Sequence, residues 1–368
     1  MKQFNIKDHI DPHIEELEGK DKISKKGKLN LSSNELKHSE LGDFHHVFLS
    51  HINANTFSEY PYFPDYTDKI AEFLNLDREK IILTAGSDDA IKIIIEAFSK
   101  KTNTLYIQYP NYENYMYYAS LRGMKCEKIG FHPGEKTINF TKKFIDILLT
   151  AKPSTVILTN PNGFTGEYLS NSELKIITET CQTHNHILII DEAYTGFGYP
   201  SHSSFVEDYE NVILVKTFSK SMGSAGLRIA KVYSSKTIIE YLKKWNGTNN
   251  VTSIALEYLL YSFNNKDIIN KFIKEICDSR DNFLSIFKDK KGIKTYPSLS
   301  NFVCFKIEHA EVLAETFANN CIVFKNLSHI KGFEEHVRLT IGEKKIMNNV
   351  INLIKTHLNI EEELYEYY

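Results

Sequence analysis

Lys220 lies in the run Thr217-Phe218-Ser219-Lys220-Ser221-Met222-Gly223-Ser224-Ala225-Gly226-Leu227-Arg228. An amine that must capture an electrophile needs a compact, small-residue segment that lets a second molecule come close. Hydroxyls at Thr217 and Ser219, with a guanidinium at Arg228, are the donors that a phosphate monoester takes. Taken alone, the run also fits an ordinary Ser/Lys-rich surface turn. Asp191-Glu192-Ala193-Tyr194 favours the first reading, because it directly follows the apolar run Ile187-Leu188-Ile189-Ile190. An acid there stands at the carboxyl end of a buried strand, where open α/β sheets bind their ligands. Gly86-Ser87-Asp88 precedes a helical pattern, so its backbone N–H groups and the helix dipole favour an anion. Asp88 itself reads as a helix cap, since its charge opposes an anion.

The elements that must carry these residues alternate along the middle of the chain. Strand-like runs are 80–84, 104–108, 155–159, 187–191, 211–216 and 228–234, and helical patterns between them include 90–98, 112–122 and 172–183. Strands separated by helices read as βαβ units around a mostly parallel sheet, an α/β fold. From about Glu240 the pattern changes to long helices at 254–263 and 266–287. Strand-like pieces at 301–307 and 337–341 follow, then a closing helix at 344–357. That is an α+β unit distinct from the sheet. The expected division is an N-terminal arm over 1–44, a large domain over 45–240 and a small domain over 241–368.

Length and composition set the class. The chain has 368 residues, 42% hydrophobic and 25% charged, as an ordinary globular protein of about two domains does. A net charge of −3 gives no basic field for nucleic acid or an anionic membrane. The first twenty residues are polar and acidic, without the apolar core of a signal peptide, and no window approaches a transmembrane run. Cysteines 126, 181, 277, 304 and 321 lack metal-type spacing, and their odd number argues against a disulfide framework. The expected setting is the cytoplasm, with no metal.

Taken in order, the motifs resemble those of pyridoxal-phosphate enzymes of the aspartate aminotransferase fold, most closely the histidinol-phosphate aminotransferase family. They are Asn34-Glu35, Tyr60-Pro61, Gly86-Ser87-Asp88, Pro110-Asn111-Tyr112, Asn160 to Gly166, Asp191 to Tyr194, Thr217 to Arg228, and Val337 to Gly342. Each is weak and the ordered set, which spans nearly the whole chain, is strong. The resemblance implies a seven-stranded, mostly parallel sheet in the large domain, and an arm that joins the small domain over the active site. It implies pyridoxal 5'-phosphate held as a Schiff base (internal aldimine) by Lys220, which then shuttles a proton, with a quinonoid intermediate. Asp191 would pair with the ring nitrogen, Tyr194 with the phenolic oxygen, and Tyr112 would stack on the ring. Gly86, Ser87, Asp88, Thr217, Ser219 and Arg228 would surround the phosphate. Tyr60 would reach the neighbouring subunit's phosphate, which implies a homodimer. Arg338 would meet a substrate α-carboxylate, and Asn34 would lie with it at the substrate. Tyr115, Tyr117 and Tyr118 read as ordinary helix-surface and core aromatics.

Three positions depart from that pattern. Asn-Asn-Pro-Thr-Gly stands here as Asn162-Gly163-Phe164-Thr165-Gly166, so Gly163 replaces the asparagine that serves the phenolic oxygen. Asn162 or Asn160 would take over, or Tyr194 would act alone. Lys325 stands where the family tends to have an arginine near the substrate phosphate. The segment Asp11-Pro12-His13-Ile14-Glu15 lacks the family's Pro-Tyr pattern. The expected function is therefore transfer of an amino group between glutamate and a small phosphorylated carbonyl compound. A three-carbon ketone phosphate such as dihydroxyacetone phosphate, or a histidinol-phosphate-like compound, would fit. The rival is a phosphorylated-amino-acid decarboxylase resembling threonine-phosphate decarboxylase, and a more remote one is a non-catalytic pyridoxal-phosphate-binding regulator.

Overall fold

The computed structural model describes residues 25–99 and 104–360, with isolated positions at 10, 11, 14 and 17. Pro12, His13 and Glu15 of the arm lie outside the described residues. The chain enters through a two-residue strand, Leu29–Asn30 (β1), then helices Leu41–Ser50 (α1) and Phe63–Leu74 (α2). Next come Ile81–Thr84 (β2), helix Gly86–Phe98 (α3), Thr104–Tyr109 (β3), helix Glu113–Leu121 (α4) and Lys125–Gly130 (β4). Helix Thr137–Thr150 (α5), Thr155–Thr159 (β5), helix Asn171–Thr183 (α6), Ile187–Asp191 (β6) and helix Ser203–Asp208 (α7) follow. Val212–Thr217 (β7) and Ala230–Ser234 (β8) complete a seven-stranded sheet of order β2-β8-β7-β6-β5-β3-β4. β8 runs antiparallel to both its neighbours and the other pairs are parallel. This is the mostly parallel α/β sheet that the sequence implies.

Side chains alternate across the strands, and both faces are buried, as a helix-covered parallel sheet requires. Leu158, Ile190 and Leu214 pack with Phe144 of α5 and Leu174 of α6, whereas Ile157, Ile189 and Ile213 pack with Ile94 of α3 and Tyr115 of α4. The same parity carries Asp191 to the α4 side and Glu192 to the other. All parallel strands end at one edge. There Thr159 lies opposite Asp191, and the antiparallel return of β8 sets Ala230 opposite both Thr217 and Thr84. That edge therefore gathers the segments after β2, β3, β5, β6 and β7 with the one before β8.

After β8 come helices Lys236–Lys243 (α8), Ser253–Asn264 (α9) and Lys266–Phe287 (α10), then Ile293–Thr295 (β9) and Phe302–Ile307 (β10). Helix Ala310–Asn319 (α11), the short strands Ile322–Val323 (β11) and Lys325–Asn326 (β12), then His336–Thr340 (β13) and helix Lys344–His357 (α12) close the described chain. A four-stranded sheet of order β12-β13-β10-β9 has its own core, which takes in Leu31, Leu36 and Leu41 from the entering segment together with Phe44 and Phe48 of α1. β1 pairs with β11, and Lys37 bridges to Gly342. The arm is thus stitched to the C-terminal unit. The expected divisions at 44/45 and 240/241 fall inside α1 and α8, because each helix buries one continuous apolar face against a single core. No helix among the described residues is long and apolar enough to cross a membrane.

Candidate active site

The carboxyl edge of the large sheet brings most of the chemically interesting residues together. Asp191 ends β6, buried, with its Oδ1 accepting the Ala193 N–H at 2.9 Å and its Oδ2 accepting the Tyr115 hydroxyl at 3.1 Å. Burial pushes its carboxyl up to about 6, against the pull of those two hydrogen bonds. Tyr115 is therefore more than a core aromatic, because its hydroxyl fixes one carboxylate oxygen. No signal in the neighbouring sequence marks it, because Tyr115 meets Asp191 only through the fold.

Lys220 follows β7 and donates from Nζ to the Ser33 carbonyl at 2.7 Å. Burial, reinforced by the Arg338 and Arg228 charges, lowers its ammonium to about 8, with Glu35 and Asp88 opposing. Tyr194 accepts a hydrogen bond from Asn34 Nδ2 at 3.1 Å; burial raises its phenol while the Arg338 charge pulls it back. Tyr112 caps α4 at the mouth of the site, its ring partly exposed.

The helix expected from Ala90 begins at Gly86, so Gly86, Ser87 and Asp88 form its first turn. The cap residue is Ala85, and Asp89 from inside the first turn reaches back with Oδ2 to accept the Ala85 N–H at 3.0 Å. Asp88 instead meets Arg228 Nη2 at 3.0 Å and Asn114 Nδ2 at 2.8 Å, which corrects its reading as a cap. Gly86 has φ +81°, and a Cβ there would lie 2.5 Å from Arg228 Nη2, so only glycine lets the guanidinium cover the helix start. Thr217 Oγ1 donates to Ser219 Oγ at 2.9 Å, and Arg228 Nη1 reaches the same Ser219 oxygen at 3.4 Å. An open helix N-terminus, two hydroxyls and one guanidinium form a donor set suited to a phosphate dianion.

The C-terminal unit supplies Arg338 on β13, only 9% exposed. Its Nη1 donates to the Gly163 carbonyl at 2.6 Å and its Nη2 to the Ser32 carbonyl at 2.8 Å, while Nε has no acceptor among the described residues. Lys325 lies directly opposite Arg338 in the β12–β13 register, so both side chains leave the same face. Asn34 sits at φ +54°, with its N–H on Thr340 Oγ1 at 3.0 Å and its carbonyl accepting from Asn301 Nδ2 at 3.0 Å.

Three of the expected residues stand apart. Asn162 Oδ1 accepts the Phe164 and Thr165 N–H groups at 2.9 and 3.0 Å and its Nδ2 donates to the Pro110 carbonyl at 3.2 Å, so the amide is committed to its own loop. Asn160 is likewise tied to Leu169 and His202. Neither stands in for the asparagine that Gly163 replaces, and the ring of Tyr194 lies where a Cβ at 163 would come within 3.0 Å. Tyr60 projects into solvent, 85% exposed.

The family model described as "Aminotransferase class I and II" matches residues 26–354. The chain belongs to this family. Among the relatives of this aminotransferase is a histidinol-phosphate aminotransferase of Clostridium novyi, 28% identical over 338 residues, covering 91% of this chain and 93% of that protein. Another, from Caldanaerobacter subterraneus subsp. tengcongensis, is 28% identical over 306 residues, with 81% and 84% covered. The crystal structure of the Sinorhizobium meliloti histidinol-phosphate aminotransferase with pyridoxal-5'-phosphate superposes with a TM-score of 0.83 at 16% identity, covering 97% of this chain and 99% of that one. The threonine-phosphate decarboxylase of Porphyromonas gingivalis shares the fold, with a TM-score of 0.75 at 18% identity over 90% and 99% of the chains. This aminotransferase is a pyridoxal-phosphate-dependent enzyme, and its residues fit the cofactor. An amine freed by burial, a strand-end carboxylate and the glycine-lined cradle under Arg228 are the partners an aldehyde, a pyridine nitrogen and a phosphate need.

Proposed function

We propose that this aminotransferase moves an amino group between glutamate and a small phosphorylated carbonyl compound. A three-carbon ketone phosphate such as dihydroxyacetone phosphate is the preferred candidate, and a histidinol-phosphate-like compound the other. The carrying observation is Arg338, a buried guanidinium whose hydrogen bonds go to two carbonyls and whose Nε has no acceptor among the described residues. Such a group is incomplete until an anion arrives, and a carboxylate matches its fork. Lys325, on the same face, supplies a second cation for the phosphate of the other partner. The relatives named for histidinol phosphate support a phosphorylated substrate.

Bound pyridoxal phosphate supplies the electron sink that stabilises charge on the amino carbon. Lys220 would hold the cofactor's aldehyde through its amine, and its Nζ would hold or move the proton at the amino carbon. Asp191, positioned by Tyr115, holds the proton on the ring nitrogen. Tyr194, with Asn34 behind it, serves the phenolic oxygen without an asparagine. Tyr112 would lie against the ring, and the first turn of α3 with Thr217, Ser219 and Arg228 would hold the phosphate. In this reading two copies form a homodimer, with Tyr60 reaching the partner's phosphate. The exposed Phe57, Tyr60 and Tyr62 support it, as an apolar patch that a second subunit would cover.

The experiment is a panel of phosphorylated ketones, amines and amino acids with glutamate, followed for amine transfer and carbon dioxide. A ketone phosphate should exceed histidinol phosphate, Arg338→Ala should weaken glutamate and Lys325→Ala the phosphorylated partner, each by about tenfold or more. Histidinol phosphate as the best of the panel would defeat the substrate choice. Carbon dioxide without amine transfer would make the protein a decarboxylase.

A further inference from the structure

We propose that the turn Gly163-Phe164 is a positioning element that locks Arg338 and so sets how tightly this chain reads a carboxylate. The proposal rests on Arg338 as the carboxylate partner. Two faces of the observation support it. The guanidinium lies beside two aromatic rings, Phe164 and Phe302, each with its centroid 5.4 Å from Cζ. It also donates to the Gly163 carbonyl from the same turn at 2.6 Å. A side chain with this much rotational freedom would otherwise lose it only when substrate binds, which weakens binding. Rings and carbonyls fix the group before substrate arrives. Being uncharged, they leave its positive charge unspent, as a carboxylate neighbour would not.

The turn is built for this contact. Asn162 Oδ1 gathers the N–H groups of Phe164 and Thr165, and Gly166 closes the loop at φ +80°, where a Cβ would lie 2.4 Å from Ser298 Oγ. Gly163 presents its carbonyl to Arg338 while the space beside its Cα is taken by the Tyr194 ring, with Cε2 3.0 Å from where a Cβ would stand. Gly163 and Phe164 are also the two residues at which this chain leaves the Asn-Asn-Pro-Thr-Gly pattern. The ring half of the lock is therefore particular to this sequence, whereas the Gly163 carbonyl is main chain that any residue there would offer. Phe302 braces it from β10 and meets Tyr194 edge-on, with centroids 5.1 Å apart.

The test is a double-mutant cycle on the pyridoxal-phosphate-loaded full chain, using Phe164→Ala and Arg338→Lys singly and together. The first readout is the dissociation constant of glutarate, a dicarboxylate without the amine, by calorimetry; the second is the split between KM and kcat for glutamate. Phe164→Ala should weaken glutarate about 5- to 30-fold, raise the glutamate KM in parallel and change kcat less than about threefold. In the Arg338→Lys background the same change should add under about twofold. Phe164→Tyr, which restores a ring, should return near wild-type affinity. Unchanged glutarate binding in Phe164→Ala, or losses that simply multiply in the double variant, would overturn the lock. If the alanine variant does not fold, Phe164→Leu, which keeps apolar volume without the ring face, carries the same measurement. Arg338→Lys without effect would sink the carboxylate reading itself, whereas an effect there with none at Phe164 sinks only the lock.

Discussion

Lys220 and Asp191 are both shifted by burial, in opposite directions, and each shift has a measurable consequence. The Lys220 ammonium, lowered to about 8, is half deprotonated where an exposed lysine would be almost wholly charged. Capture of pyridoxal phosphate by the cofactor-free protein should therefore accelerate with rising pH and level off above about 8; a midpoint near the ordinary lysine value would show a solvated amine. Between about 8 and that ordinary value the unfolded chain binds the extra proton, so this group's contribution to stability rises with pH across the window. Asp191 behaves inversely. Its folded carboxyl sits at about 6, so below that pH the folded state holds the proton, and the cost of burying the charge is in full force at pH 7. Asp191→Asn should raise the stability of the cofactor-free protein by on the order of 1 kcal/mol in urea denaturation, while the chemical rate of the loaded enzyme falls by orders of magnitude. Equal or lower stability in the variant would argue against the burial cost. Lys220, Asp191, Tyr194 and Arg338 were legible because their neighbours in sequence are distinctive. Tyr115 was not, since its contact depends on which face of β6 Asp191 occupies, and strand parity across a sheet is a tertiary fact.

The end of β6 works on both faces of the sheet. Opposite Asp191, Glu192 is fully buried, hydrogen-bonded to His202 Nδ1 at 2.9 Å and to Ser201 Oγ. Burial would raise its carboxyl, but the His202 hydrogen bond, then the His202, Lys216 and Lys231 charges, hold it at about 2. Lys231, lowered by burial to about 8, lies on the same face from β8. This network anchors the strand terminus from behind, on the face of the sheet away from Asp191. His202→Ala should cost about 1–3 kcal/mol, because it removes one hydrogen bond from a buried carboxylate that keeps Ser201 and the main-chain N–H at 202; a loss under about 0.5 kcal/mol in chemical denaturation would show that water replaces the imidazole. Element by element, β5 and β6 were readable as uninterrupted apolar runs. β4 is hidden in the sequence, because an edge strand buried on one side carries Lys125, Glu127 and Lys128. The start of α3 was placed four residues late, because Gly86 enters the helix at positive φ and the capping acid lies inside the first turn.

On the scale of the whole molecule, two cores meet at the site, and the exposed aromatics beside α2 lie on the outer surface. The proposed homodimer makes a complementation experiment decisive. Lys220→Ala and Tyr60→Phe subunits, each impaired alone, should on mixing regain normal cofactor affinity at about a quarter of the sites, since half of the dimers are hybrids and one of the two sites in each hybrid is intact. No recovery in verified hybrids would confine Tyr60 to its own chain. The ordered motifs made the family, the sheet and the arm's association with the C-terminal unit legible, while the arm's individual contacts were not, because they run to residues far away in sequence. That distance has a consequence in time. Ser32 and Asn34 leave the ribosome early, yet Arg338 and Thr340, their partners, follow 306 residues later. At about 5–20 residues per second, the arm waits roughly 15–60 s for the strand that receives it. Until β13 emerges, Lys220 is already made and the site around it is still unfinished, so a nascent chain cannot carry out the chemistry that the completed one does.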